Sequence, residues 1–206
     1  MKKIFIAIIT LFIAVAVNAQ QSFNKHLAEA RAAYAAGKLD DTRFAMQQMM
    51  QNLDSITGTE VLKLLPKQML DQKTRDKMDN VSGASGFFGV LIHREYNNEP
   101  MKNVVDSVTD KTIELDIISN SPLVGTINGL LSLPFMGNNP DMKIVKISGY
   151  KALLQKTSGD GDKPEFEMQL PLNNALVTLK APGRTQDELI KMANTIPVSE
   201  IAKLIQ

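Results

Sequence analysis

Few side chains in this 206-residue sequence are of types that do chemistry. It holds two histidines, His26 and His93, and no cysteine, which removes thiolate nucleophiles, thiolate zinc sites and disulfides together. A serine hydrolase would need one imidazole beside a serine and a carboxylate, and no Gly-x-Ser-x-Gly elbow is present. A histidine zinc site would need His26 and His93 to converge from distant segments, with no local spacing to support it. His93 and Glu95 share one strand face in FFGVLIHREY, which makes either a polar binding patch or a solvated strand face. Glu114 and Asp116 also share a strand face, about 7 Å apart. That separation suits a glycosidase carboxylate pair, yet no neighbour in sequence marks one of them as the acid. Asp160, Asp162 and Glu165 alternate as calcium ligands do. The twelve-residue calcium loop is absent and Lys163 interrupts, so an ordinary solvated turn is the plainer reading. The run Gly83-Ala84-Ser85-Gly86 leads into a strand and lacks Gly-Lys-Ser/Thr, so it reads as a flexible strand entry, not a phosphate cradle. No catalytic residue, metal ligand or cofactor is expected.

The elements that must position these residues begin after a leader. Lys2 and Lys3 precede an apolar run from Ile4 to Val17, and Val17-Asn18-Ala19 offers small residues where a signal peptidase reads. Fourteen apolar residues suit a signal-peptide core, whereas a membrane span needs about 20. Cleavage after Ala19 and a periplasmic or secreted location are expected, with no membrane span later in the chain. A lipid anchor on cysteine is closed. With the two leader lysines gone, the 23 basic residues fall to 21 against 22 acidic ones, a balance that gives no electrostatic case for nucleic acid.

The firmest element is a β-hairpin over 166–181. Phe166, Met168, Leu170 and Leu172 alternate, Asn173-Asn174 suits a type I′ loop, and Ala175, Val177, Leu179 and Ala181 alternate again. A two-residue loop sets 172 opposite 175, 170 opposite 177 and 168 opposite 179. Ile113, Leu115 and Ile117 mark another half-buried strand, and Phe88, Val90, Ile92 and Tyr96 a third. Lys143 to Ile147 is a strand that bends or bulges at Gly149 and continues from Tyr150 to Gln155. Before the sheet, Ser22 to Leu65 reads as helical: an alanine-rich helix capped by Gly37, a second capped by Asp40 or Asp41, and a third opened by the capping-box spacing Thr57 to Glu60 and closed by Pro66. Met46, Met49 and Met50 form either an adaptable binding face or the filling of an uneven helix contact. Residues 67–80 are charge-dense and read as a linker. Ser121-Pro122 starts a helix that ends at Pro134, uncharged throughout, whose Gly125 and Gly129 would let it lie close on the sheet. Thr185 to Glu188 is another capping box, and a last short helix follows Pro197.

The fold class is therefore α+β, an N-terminal helical hairpin followed by an antiparallel sheet flanked by helices. Its parts are a signal peptide (1–19), a helical segment (20–66), a linker (67–80) and a sheet domain (81–206). With G-Y-K-A-L-L entering a strand, the hairpin, and a closing D-E-L-I-K-M-A helix, residues 81–206 resemble a PsbP/Mog1-type α/β domain. With SPLVGTINGLLSLPF and SGYKALLQK the chain is also similar to small exported bacterial proteins of unassigned function. The first two helices resemble one tetratricopeptide-type hairpin, without the second copy that family stacks. That last likeness implies only a short-loop helical hairpin, whereas the first two resemblances imply a scaffold that usually binds partners and does no chemistry. The expectation is an exported, non-enzymatic binding protein whose unknown protein partner or apolar ligand meets Leu123, Ile127, Leu130, Leu131, Phe135 and His93. The alternative is a hydrolase using His93 with sheet carboxylates.

Overall fold

The computed structural model describes residues 21–83, 89–98, 111–119, 121, 123–133, 141–157 and 165–205. The leader, Phe88, residues 99–110, Phe135, Asp160 and Asp162 lie outside these residues.

Residues 21–35 form helix α1. Gly37, at φ 73°, turns the chain: its N–H bonds the Tyr34 carbonyl at 3.0 Å and Lys38 N–H the Ala33 carbonyl at 2.9 Å, a Schellman cap that only a residue without Cβ forms cheaply. Helix α2 spans Leu39–Leu64. Asp40 and Asp41 therefore lie inside its first turn, where they complement the helix dipole and do not serve as its cap. The expected third helix is the continuation of α2. The capping-box spacing is satisfied in any helix interior, and it marks a start only where the backbone is extended at the cap. Within α2, between Thr57 and Gly58, the chain divides into two compact units.

In the second unit Gly58 is buried against the sheet. A Cβ there would lie 2.5 Å from Val81 Cγ1 and 2.9 Å from Val90 Cγ2, so the close approach of helix to strand requires glycine. Residues 67–80, expected as a linker, belong to this unit. They carry β1 (Gln68–Met69) paired with β2 (Gln72–Lys73), and they end at β3 (Asn80–Gly83). The segment is polar on its surface, but Met69 is fully buried and its backbone is tied to the sheet. Arg75 N–H donates to the Glu95 carbonyl at 2.9 Å and Asn97 N–H to the Lys73 carbonyl at 2.9 Å.

The main sheet adds β4 (Val90–Tyr96), β5 (Ile113–Ser119), β6 (Met142–Ile147), β7 (Tyr150–Thr157), β8 (Glu165–Pro171) and β9 (Ala175–Lys180). Among the described residues its order is β3-β4-β5-β9-β8-β7-β6, antiparallel throughout, so the last strand in sequence is the central one. The β8–β9 register is the expected one: Met168 opposes Leu179, Leu170 opposes Val177, and Leu172 N–H donates to the Ala175 carbonyl at 2.7 Å. The turn type differs, because neither Asn173 nor Asn174 has positive φ. The turn with two positive φ values is Ser148-Gly149, at 49° and 90°. It closes a tight hairpin in which Ile147 opposes Tyr150, in place of the expected bend within one continuing strand. Glycine at the second position is what a type I′ turn selects.

Helices α4 (Gln186–Ala193) and α5 (Val198–Leu204) cover one face of the sheet. The Thr185–Glu188 capping box forms as expected. With Val61 and Leu65 from the end of α2, the two helices complete a core around Ile92, Leu115, Val177 and Met168. Helix α3 (Leu123–Leu131), capped by Ser121, whose hydroxyl accepts from Leu123 N–H at 3.3 Å, lies on the opposite face. There Ile127 and Leu131 pack with Leu153 and Leu176.

Candidate functional site: the polar face of the sheet

Alternation along each strand decides which side chains share the face that α3 leaves open. Residues directly opposed in register point the same way. His93 opposes Asp116, Asp116 opposes Thr178, and Thr178 opposes Gln169. In the next row Glu95, Glu114, Lys180 and Glu167 follow one another across four strands. The result is a polar shelf on the back of an apolar sheet.

His93 stands at the β4 end of the shelf. Its Nδ1 lies 2.7 Å from Asp116 Oδ1 and its Nε2 lies 3.3 Å from Glu95 Oε1. The hydrogen bond with Asp116 holds the imidazole pKa up to about 9 against the opposing effect of burial, and the charges of Asp116 and Glu95 add to it. The ring is thus a cation at neutral pH, clamped between two carboxylates. Glu95 is nearly buried, and its second oxygen lies 3.5 Å from Arg75 Nη1.

At the end of this shelf, shared with its second row, a cleft of about 170 Å³ opens between β5, β9 and β8, lined by Glu114, Glu165, Glu167 and Lys180 with Phe166 and Pro182. Its carboxylates outnumber its cation, so it favours a positively charged group over an anion. Among the described residues no group of three or more histidines and carboxylates is placed to hold a metal ion. His26 bonds Glu29 of its own helix at 2.7 Å.

The expected binding residues separate. Ile127 and Leu131 are core, Leu130 is half-buried against it, and Leu123 is exposed. A Cβ added at Gly125 or Gly129 would meet no atom within 4 Å. Both glycines face outward, not onto the sheet, because the branched side chains Ile127 and Leu131 fill the contact.

Arg94 belongs to no sequence motif. On the alternation that carries Val90, Ile92 and Tyr96 it occupies the intervening position, and it is 1% exposed. Its Nε and Nη2 donate to Asp79 Oδ1 and Oδ2 at 2.8 and 2.6 Å, and its Nη1 donates to the Leu65 carbonyl at 3.0 Å. The Tyr96 hydroxyl donates to the Pro66 carbonyl at 3.0 Å. Both close the C-terminal end of α2, where free carbonyls and the helix dipole favour a cation. A charged residue set among core residues is the available signal, since burial of such a group demands a partner.

No family model, curated protein or solved structure matches this chain.

Proposed function

We propose that the protein is an exported, non-enzymatic binding module of the cell envelope, meeting a protein or apolar ligand through the outer face of α3. Export rests on the basic start, the apolar run and the small residues before Gln20. The likeness of 81–206 to a PsbP/Mog1-type domain supports a scaffold of this kind. The observation that carries the non-enzymatic reading is the state of His93: a protonated ring with a carboxylate on each nitrogen has no lone pair to act as a base near pH 7. The binding face is suggested by α3, which holds no charged residue and turns Leu123, Gly125 and Gly129 outward, with Leu133 exposed just beyond it.

The test is affinity capture from the envelope fraction with wild type and with Leu123→Lys/Gly129→Glu. Both positions lie off the core, so the variant should melt no lower than wild type and lose its partner. Undiminished capture by the folded variant rejects the α3 face.

A second reading, a hydrolase using His93, is favoured by one distance, the 2.7 Å contact with Asp116 that resembles the orienting half of a catalytic triad. It requires the Nε2 side to serve a hydroxyl where Glu95 now stands. Ester or peptide hydrolysis by wild type that disappears in a folded His93→Gln variant would support this reading over the first.

A further inference from the structure

The first unit buries little. Among its described residues only Ala30, Thr42 and Ala45 are buried, too small a set to make a core for two helices. Thr42 and Ala45, with half-buried Met49 behind them, form the inner stripe of α2. A second stripe, Leu39, Met46, Met50 and Leu53, is between 46% and 58% exposed. Its steps of seven, four and three residues are those of a heptad seam, the pattern a helix uses to receive another helix. The methionines of this stripe therefore do not fill a contact inside the unit.

We propose that this stripe is a self-association surface and that its occupant is α2 of a second copy, packed antiparallel. From Leu39 to Leu53 the stripe is about 21 Å long, fourteen rises of 1.5 Å. Charge selects the direction. In a parallel pair Arg43, at the seam position between Leu39 and Met46, would face Arg43 of the other copy. In an antiparallel pair with its axis between Met46 and Met50, each Met46 meets the copy's Met50, and Arg43 lies beside Asp54 of the copy, twice by symmetry. Among the described residues Arg43 pairs with exposed Asp40 at 3.2 Å, a surface pair that yields easily. The four apolar side chains of the stripe, with flanking Arg43, Gln47 and Asp54, make up the contact. Near-zero net charge leaves no general repulsion between copies.

Sedimentation equilibrium of the full chain as the cell processes it should show a monomer–dimer equilibrium. Met50→Glu, which sets a charge in the seam, should raise its dissociation constant at least about tenfold. Cysteine pairing tests the geometry independently, because the chain has no cysteine of its own. Arg43→Cys/Asp54→Cys should give a disulfide-linked dimer under mild oxidation, and neither single variant should, since like positions lie about 15 Å apart in the antiparallel pair. A monomer at every concentration overturns the proposal, and cross-linking by Arg43→Cys alone overturns the antiparallel pairing.

Discussion

Arg94 and Asp79 form a two-pronged ion pair, Nε to Oδ1 at 2.8 Å and Nη2 to Oδ2 at 2.6 Å, on the buried side of the sheet. The pair joins β4 to the segment just before β3, and the third guanidinium nitrogen closes the end of α2 at Leu65. Removing one partner leaves the other charge buried without compensation. Asp79→Ala should therefore cost about 3–5 kcal/mol in chemical denaturation. Arg94→Lys should fail to restore it, because an ammonium cannot make both parallel bonds and still reach the Leu65 carbonyl. Arg94→Met/Asp79→Ala should be milder than the sum of the single changes, read as a double-mutant cycle.

His93 links stability to pH with a definite sign. Its pKa is raised from 6.5 to about 9 in the folded protein, first by the hydrogen bond with Asp116. The charged ring thus stabilises the fold fully below pH 6.5, and this contribution is lost as pH rises through 9. The side chain is 24% exposed, so solvent screening discounts the full linkage value to roughly 2 kcal/mol. Urea midpoints of wild type and His93→Gln, measured from pH 6 to pH 10, should converge as pH rises. A gap that stays constant would mean that the ring does not titrate in this window.

How much of this is legible in the sequence depends on how local each signal is. The β8–β9 register follows from alternation on both sides of a two-residue loop, and the α4 cap from four adjacent residues, so both are readable without knowing the rest of the fold. Arg94 is not readable in that way. Its partner Asp79 lies fifteen positions back in a charge-dense stretch, and spacing does not tell a linker from a segment that delivers a counter-charge. Helix α3 defeats periodicity for a different reason: it is uncharged on every side, so composition does not show which face is buried, and the expectation for Gly125 and Gly129 falls on the wrong one. The polar shelf is half-legible. Strand phase puts His93 with Glu95 and Glu114 with Asp116, but only the pairing of β4 with β5 sets His93 against Asp116.

The two short hairpin turns should respond oppositely to glycine-type chemistry. Ser148 is held at φ 49° and Gly149 at 90°, so Gly149→Ala should cost about 1–2 kcal/mol. Ser148→Asn, which tolerates the left-handed region, should be neutral or gain a few tenths of a kcal/mol. Asn173→Gly should gain nothing, because Asn173 has negative φ and glycine there only adds freedom to the unfolded chain. Thermal midpoints of the three variants check the assignment of turn types.

The helical glycines divide by the same kind of test. Alanine is a better helix former than glycine by about 1 kcal/mol, so propensity favours Gly→Ala at Gly58, Gly125 and Gly129 alike. At Gly125 and Gly129 a Cβ meets nothing within 4 Å, and each change should stabilise by about 0.5–1 kcal/mol. At Gly58 the added carbon would lie 2.5 Å from Val81 Cγ1 and 2.9 Å from Val90 Cγ2. Neither valine has a flexible end to swing away, so β3 and β4 would have to shift, at about 1–3 kcal/mol, which outweighs the propensity gain. Denaturation midpoints should therefore rise for Gly125→Ala and Gly129→Ala and fall for Gly58→Ala. A rise at Gly58 would mean that the end of α2 does not lie against these two strands.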